Sequence, residues 1–246
     1  MTIYKYQTID KYFWSNLIKR QLWFSSPKTF DDDFDSLLPI DTNMSKGEIE
    51  SFLRLSWQLN FKTQIGFDIA FGRAVDELAI NHDMRRDFFY GLIDNHVDEN
   101  IAITCFSNDL MNRTLWGKYA DKGTGVCFGF EPIFDEEYFK NLEIVSYTEN
   151  LPRVRMDINT FDERIKEFVT TKHAQWSNQG ETRLFRKKVG AYSYNPLSLT
   201  RIIFGTRISK QHKDRIISIG LMTNSEIEFS QLERDRENGE YKLTTI

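Results

Sequence analysis

The start of the chain alternates between strand-like and helix-like spacing of its apolar positions. The segments TIYKYQ at 2–7 and LWFSS at 22–26 are rich in β-branched and aromatic residues, which favours strands. Between them, Phe13, Leu17 and Ile18 recur at the spacing of one helix face. This region therefore predicts a β-α-β unit.

Helical spacing fills the next part of the chain. Two apolar runs with this spacing lie within residues 46–98. They predict a helical insert at about 45–98, placed between strands. The apolar positions are Ile49, Phe52, Leu53 and Leu55 in the first run, and Ile69, Phe71, Val75, Leu78, Ile80, Phe88, Phe89 and Leu92 in the second.

The rest of the chain predicts strands separated by helices of unequal length. Because strands and helices do not alternate regularly, the pattern favours an α+β fold over a doubly wound sheet. No linker or composition shift divides residues 1–246, so we expect a single domain. The predicted strands are 101–107, 126–130, 141–149, 182–188, 201–208, 226–233 and a final hairpin strand at 241–246. The predicted helices are 114–120, 209–220 and one with a face made of Phe161, Ile165, Phe168, Val169, Lys172 and Trp176.

Composition and charge are those of an ordinary globular protein. Hydrophobic residues make up 40% and charged residues 28%, and the formal net charge is -4, so no global basic field attracts nucleic acid. The sequence lacks a signal-peptide pattern and a long apolar stretch, so we expect a cytoplasmic protein without a membrane partner. Cys105 and Cys127 lie in apolar runs, which predicts buried free thiols in a reducing compartment.

Neither the histidines nor the aspartates form a clear metal-ligand pattern. The four histidines are scattered, without an i,i+4 pair or a nearby cysteine, so a zinc site lacks its ligands. Asp31, Asp33 and Asp35 alternate in the run DDDFD and offer oxygens to a divalent ion. The run lacks the glycine and the distal glutamate of a calcium loop. We therefore expect solvated turn and capping aspartates, and no metal.

Six segments spread over nearly the whole chain carry a recognisable order of motifs. They are IYKY at 3–6, LWFSSPKTFDDDFDS at 22–36, ITCFS at 103–107, LWGKYADKGTGVCFGF at 115–130, ETRLF at 181–185 and IIFG at 202–205. In order and spacing they resemble the domain of unknown function 2971 family. That family is in turn distantly similar to the ADP-ribosyltransferase clan.

The resemblance implies both a fold and an activity. The implied fold is α+β, with a mixed or antiparallel split sheet of the ADP-ribosyltransferase type and a helical insert. The implied activity is that of an enzyme that consumes NAD, either by transferring ADP-ribose to a macromolecular acceptor, protein or nucleic acid, or by hydrolysing NAD. Small cytoplasmic relatives of the clan commonly act as toxins or in anti-phage defence.

The resemblance places Glu181 at the reaction. A carboxylate beside the ribose stabilises the positive charge that develops in an oxocarbenium-like transition state. Gln179 and Glu181 match the Q-x-E form of the clan's catalytic loop. The residues alone also allow another interpretation, in which Glu181 pairs with Arg183 or Arg186 at the start of a strand. If Glu181 is catalytic, Lys5 or Arg183 should keep it ionised.

Two further positions match the clan's strand motifs. Lys5 stands where the clan usually has His or Arg and is expected to bind the NAD pyrophosphate or ribose. Ser25 matches the clan's second-strand serine, and Ser26 is its competitor because a one-residue slip exchanges the faces. The alternative interpretation is structural: Lys5 would be a lysine on an edge strand that discourages aggregation, and the serines would be ordinary turn residues. If the assignment holds, Lys5, Ser25 and Glu181 should converge in one cleft.

Aromatic and basic residues complete the candidate NAD site. Tyr4 and Tyr6 flank Lys5 and share the opposite face of its strand. Tyr119 is a candidate for stacking on a base, whereas core packing is the expectation for Trp116. Arg113 is a candidate phosphate ligand, and Arg183 is assigned to cofactor binding.

Two other functions stay open on the sequence. The first is a catalytically silent version of the fold that binds a nucleotide or a protein. The second is a nucleic-acid-binding protein that uses the basic segment 183–207, with or without nuclease activity through the aspartate run. Most basic segments of this kind are simply the solvent-exposed faces of strands.

Overall fold

The computed structural model describes residues 1–32, 35–60 and 67–246, including all of their side chains except those of 55–60 and 67–69. The strands are β1 (Ile3–Gln7), β2 (Gln21–Phe24), β3 (Ile40–Asp41), β4 (Ala102–Ser107), β5 (Val126–Phe130), β6 (Leu142–Ile144), β7 (Ser146–Thr148), β8 (Val154–Arg155), β9 (Thr171–His173), β10 (Glu181–Arg186), β11 (Gly190–Ser193), β12 (Leu199–Phe204), β13 (Glu228–Arg234) and β14 (Tyr241–Thr245). The helices are α1 (Phe13–Lys19), α2 (Lys46–Asn60), α3 (Phe67–Ile80), α4 (His82–Asn100), α5 (Arg113–Lys118), α6 (Glu136–Phe139), α7 (Phe161–Thr170) and α8 (Lys210–Thr223).

The fold is α+β and is built on one eight-stranded sheet with the order β14-β13-β12-β5-β1-β4-β10-β6. Neighbouring strands are antiparallel except β12 and β13, which are parallel and joined through α8. The N-terminal strand β1 lies in the middle of this sheet, between β5 and β4. The described residues also form small two-stranded sheets from β2 and β11, β3 and β8, and β7 and β9.

Apolar side chains cover both faces of the sheet. On one face, α1 and α8 bury Phe13, Leu17 and Ile216 against strand residues such as Phe128 and Phe130. On the other face, α4 and α7 pack over the end of the sheet that contains β4. A separate cluster around Trp116 fills the region between α5 and the centre of the sheet. The central strands β4 and β5 are thus buried from both sides, whereas the edge strands β14 and β6 are partly or largely exposed.

The helical insert contains three helices, whereas the sequence pattern shows two runs. The second run is divided because the Asn81 side chain accepts from the Met84 backbone amide and caps α4, which ends α3 one residue earlier. Ile49 and Phe52 are buried as predicted. The side chains of Leu55 and Ile69 lie outside the described part of the chain. Ile80 was wrongly assigned to the apolar face, since it is exposed.

Three other element predictions need correction. The segment predicted as one strand at 141–149 divides into β6 in the main sheet and β7 in a separate pair with β9. The helix predicted to include Trp176 ends at Thr170, because the chain then forms β9 and a 3-10 segment at Ala174–Gln179. Ile18 is 56% exposed, so the buried face of α1 consists of Phe13 and Leu17.

Candidate functional site

A cavity of about 420 Å³ opens where β1 and β4 separate. It brings together Lys5, Ser25 and Glu181, which come from distant parts of the sequence. Its size lies within the usual range for small-molecule sites. Other lining residues are Tyr4, Tyr6, Phe13, Trp23, Asp31, Asp35, Thr104, Cys105, Phe106, Ser107, Lys118, Tyr119, Phe128, Lys172, Trp176 and Gln179.

The separation of the two strands is visible in their register. Along the described length of β1 and β4, Tyr4 and Ser107 form the one registered pair. Towards its start, β4 pairs with Ser25 instead of β1. The Ser25 amide donates to the Ile103 carbonyl at 3.0 Å, and the Ser25 carbonyl accepts from the Ile103 amide at 2.8 Å. The end of β2 therefore takes the place of β1 beside β4, and the cavity lies between them.

The strand pleat decides how each side chain enters the cavity. Ser107 pairs with both Tyr4 and Glu181, so these three side chains share one face of the sheet. Lys5, next to Tyr4 in β1, starts from the other face. Lys5 and Glu181 nevertheless both line the cavity, because it extends through the gap between the strands.

Glu181 belongs to a buried cluster of two carboxylates and two cations. Lys172 Nζ lies 3.0 Å from both Glu181 Oε2 and Asp35 Oδ2. Arg183 donates from Nε to Glu181 Oε1 and from Nη2 to both oxygens of Asp35, each at 2.8 Å. Arg183 is 1% exposed, Glu181 6% and Lys172 8%, so solvent hardly reaches the cluster. The opposite charges balance, which is the condition for burying such groups.

The cluster keeps Glu181 ionised. Burial alone would raise the pKa of this carboxyl, but Arg183 and then Lys172 outweigh burial and lower the pKa to about 2. Burial would likewise lower the pKa of Lys172, yet Glu181 and Asp35 raise it. Glu181 is therefore a fixed anion on the cavity wall at neutral pH. The sequence also allowed a surface ion pair between Glu181 and Arg183. This pair does form, but it is buried.

The chain just before Glu181 is held by short-range contacts. Gly180 has a φ of 51° and ends the 3-10 segment, and a Cβ at this position would overlap the side chain of Asn108. The Ser107 hydroxyl donates to the Gln179 carbonyl at 2.6 Å. The Gln179 side chain accepts from Lys172 at 3.1 Å and lines the cavity. These contacts set the position of Glu181 relative to β4.

Lys5 reaches the cavity from an apolar setting. It is half-buried, and its Nζ lies 6.0 Å from the centre of the Phe106 ring. Burial lowers the pKa of Lys5, whereas Cys105 and Glu181 act to raise it. In the described part of the chain, no carboxylate forms a salt bridge with this ammonium. Lys5 thus differs from Lys172, the other lysine in the inner part of the cavity.

Aromatic rings and an ion pair form the outer part of the cavity. Lys118 Nζ lies 3.2 Å from Asp31 and 5.1 Å from the centre of the Tyr119 ring. The centre of the Trp176 ring lies 5.6 Å from Lys172 Nζ and 6.0 Å from Lys118 Nζ. Tyr119 is 40% exposed and is available for stacking, whereas Trp116 is in the core as expected.

Several predicted site residues lie elsewhere. Ser26 hydrogen-bonds Asp98 at 3.0 Å and caps a turn, and it is outside the cavity lining formed by the described residues. Arg113 donates to the Gly239 carbonyl, away from the cavity. Arg183 contacts Glu181 from behind and does not face the cavity. Tyr6 donates to the Asp109 carbonyl at 2.5 Å and is largely a core residue that also borders the cavity.

The basic segment 183–207 does not present its cations on one surface. Arg183 is buried in the ionic cluster. Arg186 is half-buried and packs against the rings of Phe24, Tyr138 and Tyr192. Arg201 pairs with Glu228, and Arg207 donates to the Lys122 carbonyl. This dispersal removes the main argument for a continuous nucleic-acid patch on this segment.

Two members of the ionic cluster were not predicted from the sequence. Asp35 was expected to be a solvated turn aspartate, but it is buried because Arg183 and Lys172 both bind it. Asp33 lies outside the described residues. Lys172 was placed in a helix face, yet it belongs to β9. Its position among apolar neighbours was a usable signal, because a lysine in such a pattern requires a buried carboxylate partner.

Comparisons with known proteins give no match: no protein-family model, curated protein or solved structure is significantly similar to this chain. No helix in the described residues is long and apolar enough to cross a membrane. The cavity and its chemistry are therefore the structural basis on which a function can be proposed.

Proposed function

We propose that this protein cleaves the nicotinamide–ribose bond of NAD, and so acts as an ADP-ribosyltransferase or an NAD glycohydrolase on a split-sheet fold of the ADP-ribosyltransferase type. The observation that carries the proposal is the ionised carboxylate of Glu181 on the wall of a cavity that Lys5 and Ser25 also line. The resemblance of the sequence motifs to the clan supports the same assignment. A toxin-like or anti-phage role would follow from the same activity.

Glu181 has the charge and the position that this reaction needs. Cleavage of the glycosidic bond leaves positive charge on the ribose, and a fixed anion stabilises that charge without reorganising. Arg183 and Lys172 each occupy a different oxygen of the carboxylate. The Cys105 side chain also hydrogen-bonds this carboxylate. Since a carboxylate has about four lone-pair sites, at least one remains to accept a hydrogen bond from a ribose hydroxyl.

Lys5, Ser25 and the aromatic rings would bind the rest of NAD. A phosphate next to Lys5 would offset the cost of burial and favour the ammonium form, so binding and protonation would support each other. Ser25 offers a small hydroxyl at the other edge of the gap. Tyr4, Tyr119 and Trp176 provide ring faces for the nicotinamide or the adenine.

Gln179 suggests the acceptor class. In the clan, a glutamine two residues before the catalytic glutamate usually goes with acceptors other than arginine. Gln179 occupies this position and faces the cavity. We therefore propose that transfer, where it occurs, is to an Asn, Cys, Asp, Glu, hydroxyl or nucleic-acid group.

The decisive experiment is nicotinamide release from NAD by the wild type and by Glu181→Gln. A transition-state electrostatic contact typically contributes about a hundred- to a thousandfold in rate, so turnover should fall by this factor with little change in affinity. The matched control is Glu228→Gln, since Glu228 is also a strand glutamate paired with an arginine but is exposed. It should leave turnover unchanged.

Labelled NAD and a cell extract should be included to detect transfer to a macromolecule. Wild-type protein that neither releases nicotinamide nor labels an acceptor would contradict the enzyme and leave the silent nucleotide- or protein-binding alternative. Activity that survives Glu181→Gln would keep the enzyme and remove Glu181 from its site. Lys5→Ala should weaken NAD binding more than turnover, and unchanged affinity would remove Lys5 from the NAD site.

A further inference from the structure

Two lysines reach the inner part of the cavity, and only one of them has carboxylate partners among the described residues. Lys172 is held by Glu181 and Asp35 at 3.0 Å each. Lys5 has no ion pair and no side-chain hydrogen bond within the described ranges 1–32, 35–60 and 67–246. The two carboxylates of the ionic cluster, Glu181 and Asp35, already balance Lys172 and Arg183. The charge of a Lys5 ammonium is therefore not compensated.

The surroundings of Lys5 oppose the charged form. Phe128 is its registered partner in β5, and the Phe106 ring lies 6.0 Å from Nζ. Phe13 and Leu17 line the same part of the cavity. An ammonium with apolar neighbours and no counter-ion loses hydration without recovering it, so burial lowers the pKa of Lys5. Cys105 and Glu181 oppose this effect without supplying a direct partner.

We propose that Lys5 is a carbonyl-reactive amine, which forms an imine with a small aldehyde or ketone bound in the cavity. A free amine is a nucleophile, and lysines in apolar pockets form such adducts because part of the group is unprotonated near neutral pH. The cavity admits a ligand of this kind, because the aromatic rings of Phe106 and Phe128 line it beside Lys5 and its volume is about 420 Å³. This activity does not depend on NAD cleavage.

The chemistry is balanced within the site. The lone pair of Lys5 Nζ attacks the carbonyl carbon, the carbon–oxygen π bond opens, and a nitrogen proton moves to the oxygen to give a carbinolamine. Loss of the hydroxyl and of the remaining nitrogen proton releases water and leaves a carbon–nitrogen double bond. Solvent carries the proton transfers, because Glu181, whose pKa is lowered to about 2, is too weak a base to accept the proton. Its fixed negative charge, which acts on Lys5, instead stabilises positive charge on the nitrogen during the addition.

The test is reductive trapping on the full chain. The protein is treated with benzaldehyde and sodium cyanoborohydride, which reduces an imine to a stable secondary amine, and the modified lysines are identified by peptide mass mapping. Benzaldehyde is an uncharged planar aldehyde that suits the apolar walls. Fragment ions must separate Lys5 from the α-amino group of Met1, because both lie in one short peptide.

Lys172 and Lys19 are internal controls in the same digest. Lys172 is buried but paired, and Lys19 is exposed on α1. We expect Lys5 to be the first lysine modified, ahead of both. The Lys5 adduct should disappear in Lys5→Arg, whose thermal unfolding verifies that it is folded, whereas labelling of Lys19 should continue.

Two results would overturn the proposal. One is modification of Lys5 at or below the rate of Lys19 in the wild type, a comparison that needs no variant. The other is that folded Lys5→Arg carries as much benzaldehyde adduct, summed over positions 5 and 172, as the wild type. Addition of NAD separates this proposal from the previous one. Strong Lys5 labelling that NAD does not reduce supports the amine and counts against occupancy of the cavity by NAD.

Discussion

The two inner lysines of the cavity show two ways of placing a cation in a largely buried site. Lys172 is buried with two carboxylates and an arginine, and every charged group in this cluster is paired with an opposite charge. Lys5 lies on β1 of the main sheet among phenylalanine rings, without such a partner in the described structure. In the first arrangement, the lysine charge forms ion pairs that stabilise the fold. The second leaves a reactive group for a ligand.

Replacing each lysine by methionine tests this difference most strongly. Lys172→Met leaves Asp35 and Glu181 with Arg183 as their remaining cation in the cluster, and breaking a buried pair costs about 3–5 kcal/mol. We expect that loss in the free energy of unfolding from urea denaturation. Lys166→Met is the control, because its pair with Glu143 is exposed and contributes less than about 1 kcal/mol. Equal losses in the two variants would show that the cluster is not structural.

The pH dependence of stability tests the ionic cluster through its carboxylate Glu181. The pKa of Glu181 falls from 4.5 to about 2 on folding, so the folded state gains stability above pH 4.5 and loses it as the pH falls towards 2. The shift corresponds to a contribution on the order of 3 kcal/mol. The urea-derived unfolding free energy of Glu181→Gln should lack this part of the acid slope.

Glu48 titrates in the same window, because its hydrogen bonds from Ser45 also lower its pKa to about 2. Glu48→Gln therefore serves as the parallel variant. It should retain the Glu181 part of the slope. An acid slope that is identical in the wild type and Glu181→Gln would contradict the low pKa of Glu181.

Lys5→Met should have the smallest effect on stability. Methionine has a similar length and removes an ammonium that has no counter-ion, so the lost charge releases a desolvation cost. We expect a change within about 1 kcal/mol, in either direction, in the same urea measurement. A loss as large as that of Lys172→Met would mean that Lys5 has a structural role and that the two lysines are equivalent.

Local patterns were enough to predict that certain segments form strands or helices, whatever they pair with in the fold. The strand at 2–7, the short helix near Trp116 and the final hairpin all form within a residue or two of the predicted bounds. Their signals are spacing, β-branched content and turn residues, which act over a few positions. The same signals do not say which sheet a strand joins, so β6 and β7 were read as one strand.

The ionic cluster depends on contacts that no local pattern contains. Asp35 binds Arg183, which lies far along the chain in β10. The aspartate-rich run alone favours a solvated turn, and tertiary pairing overrides that preference for Asp35. Glu181 was chosen as a candidate because its motif resembles a clan loop. Lys172 and Asp35, which complete its ionic cluster, have no place in that motif.

The central position of β1 affects how the cavity can form during folding. Residues 3–7 are synthesised about a hundred residues before their pairing partners, which are Ser107 and residues 126–130. Pairings between such distant segments close long loops and are slow to form. The apolar side of β1, including Ile3, must stay unpaired until β5 exists. The gap between β1 and β4 is consequently a late product of folding, and the cavity has no ligand-binding walls in any intermediate that lacks the N-terminal strand.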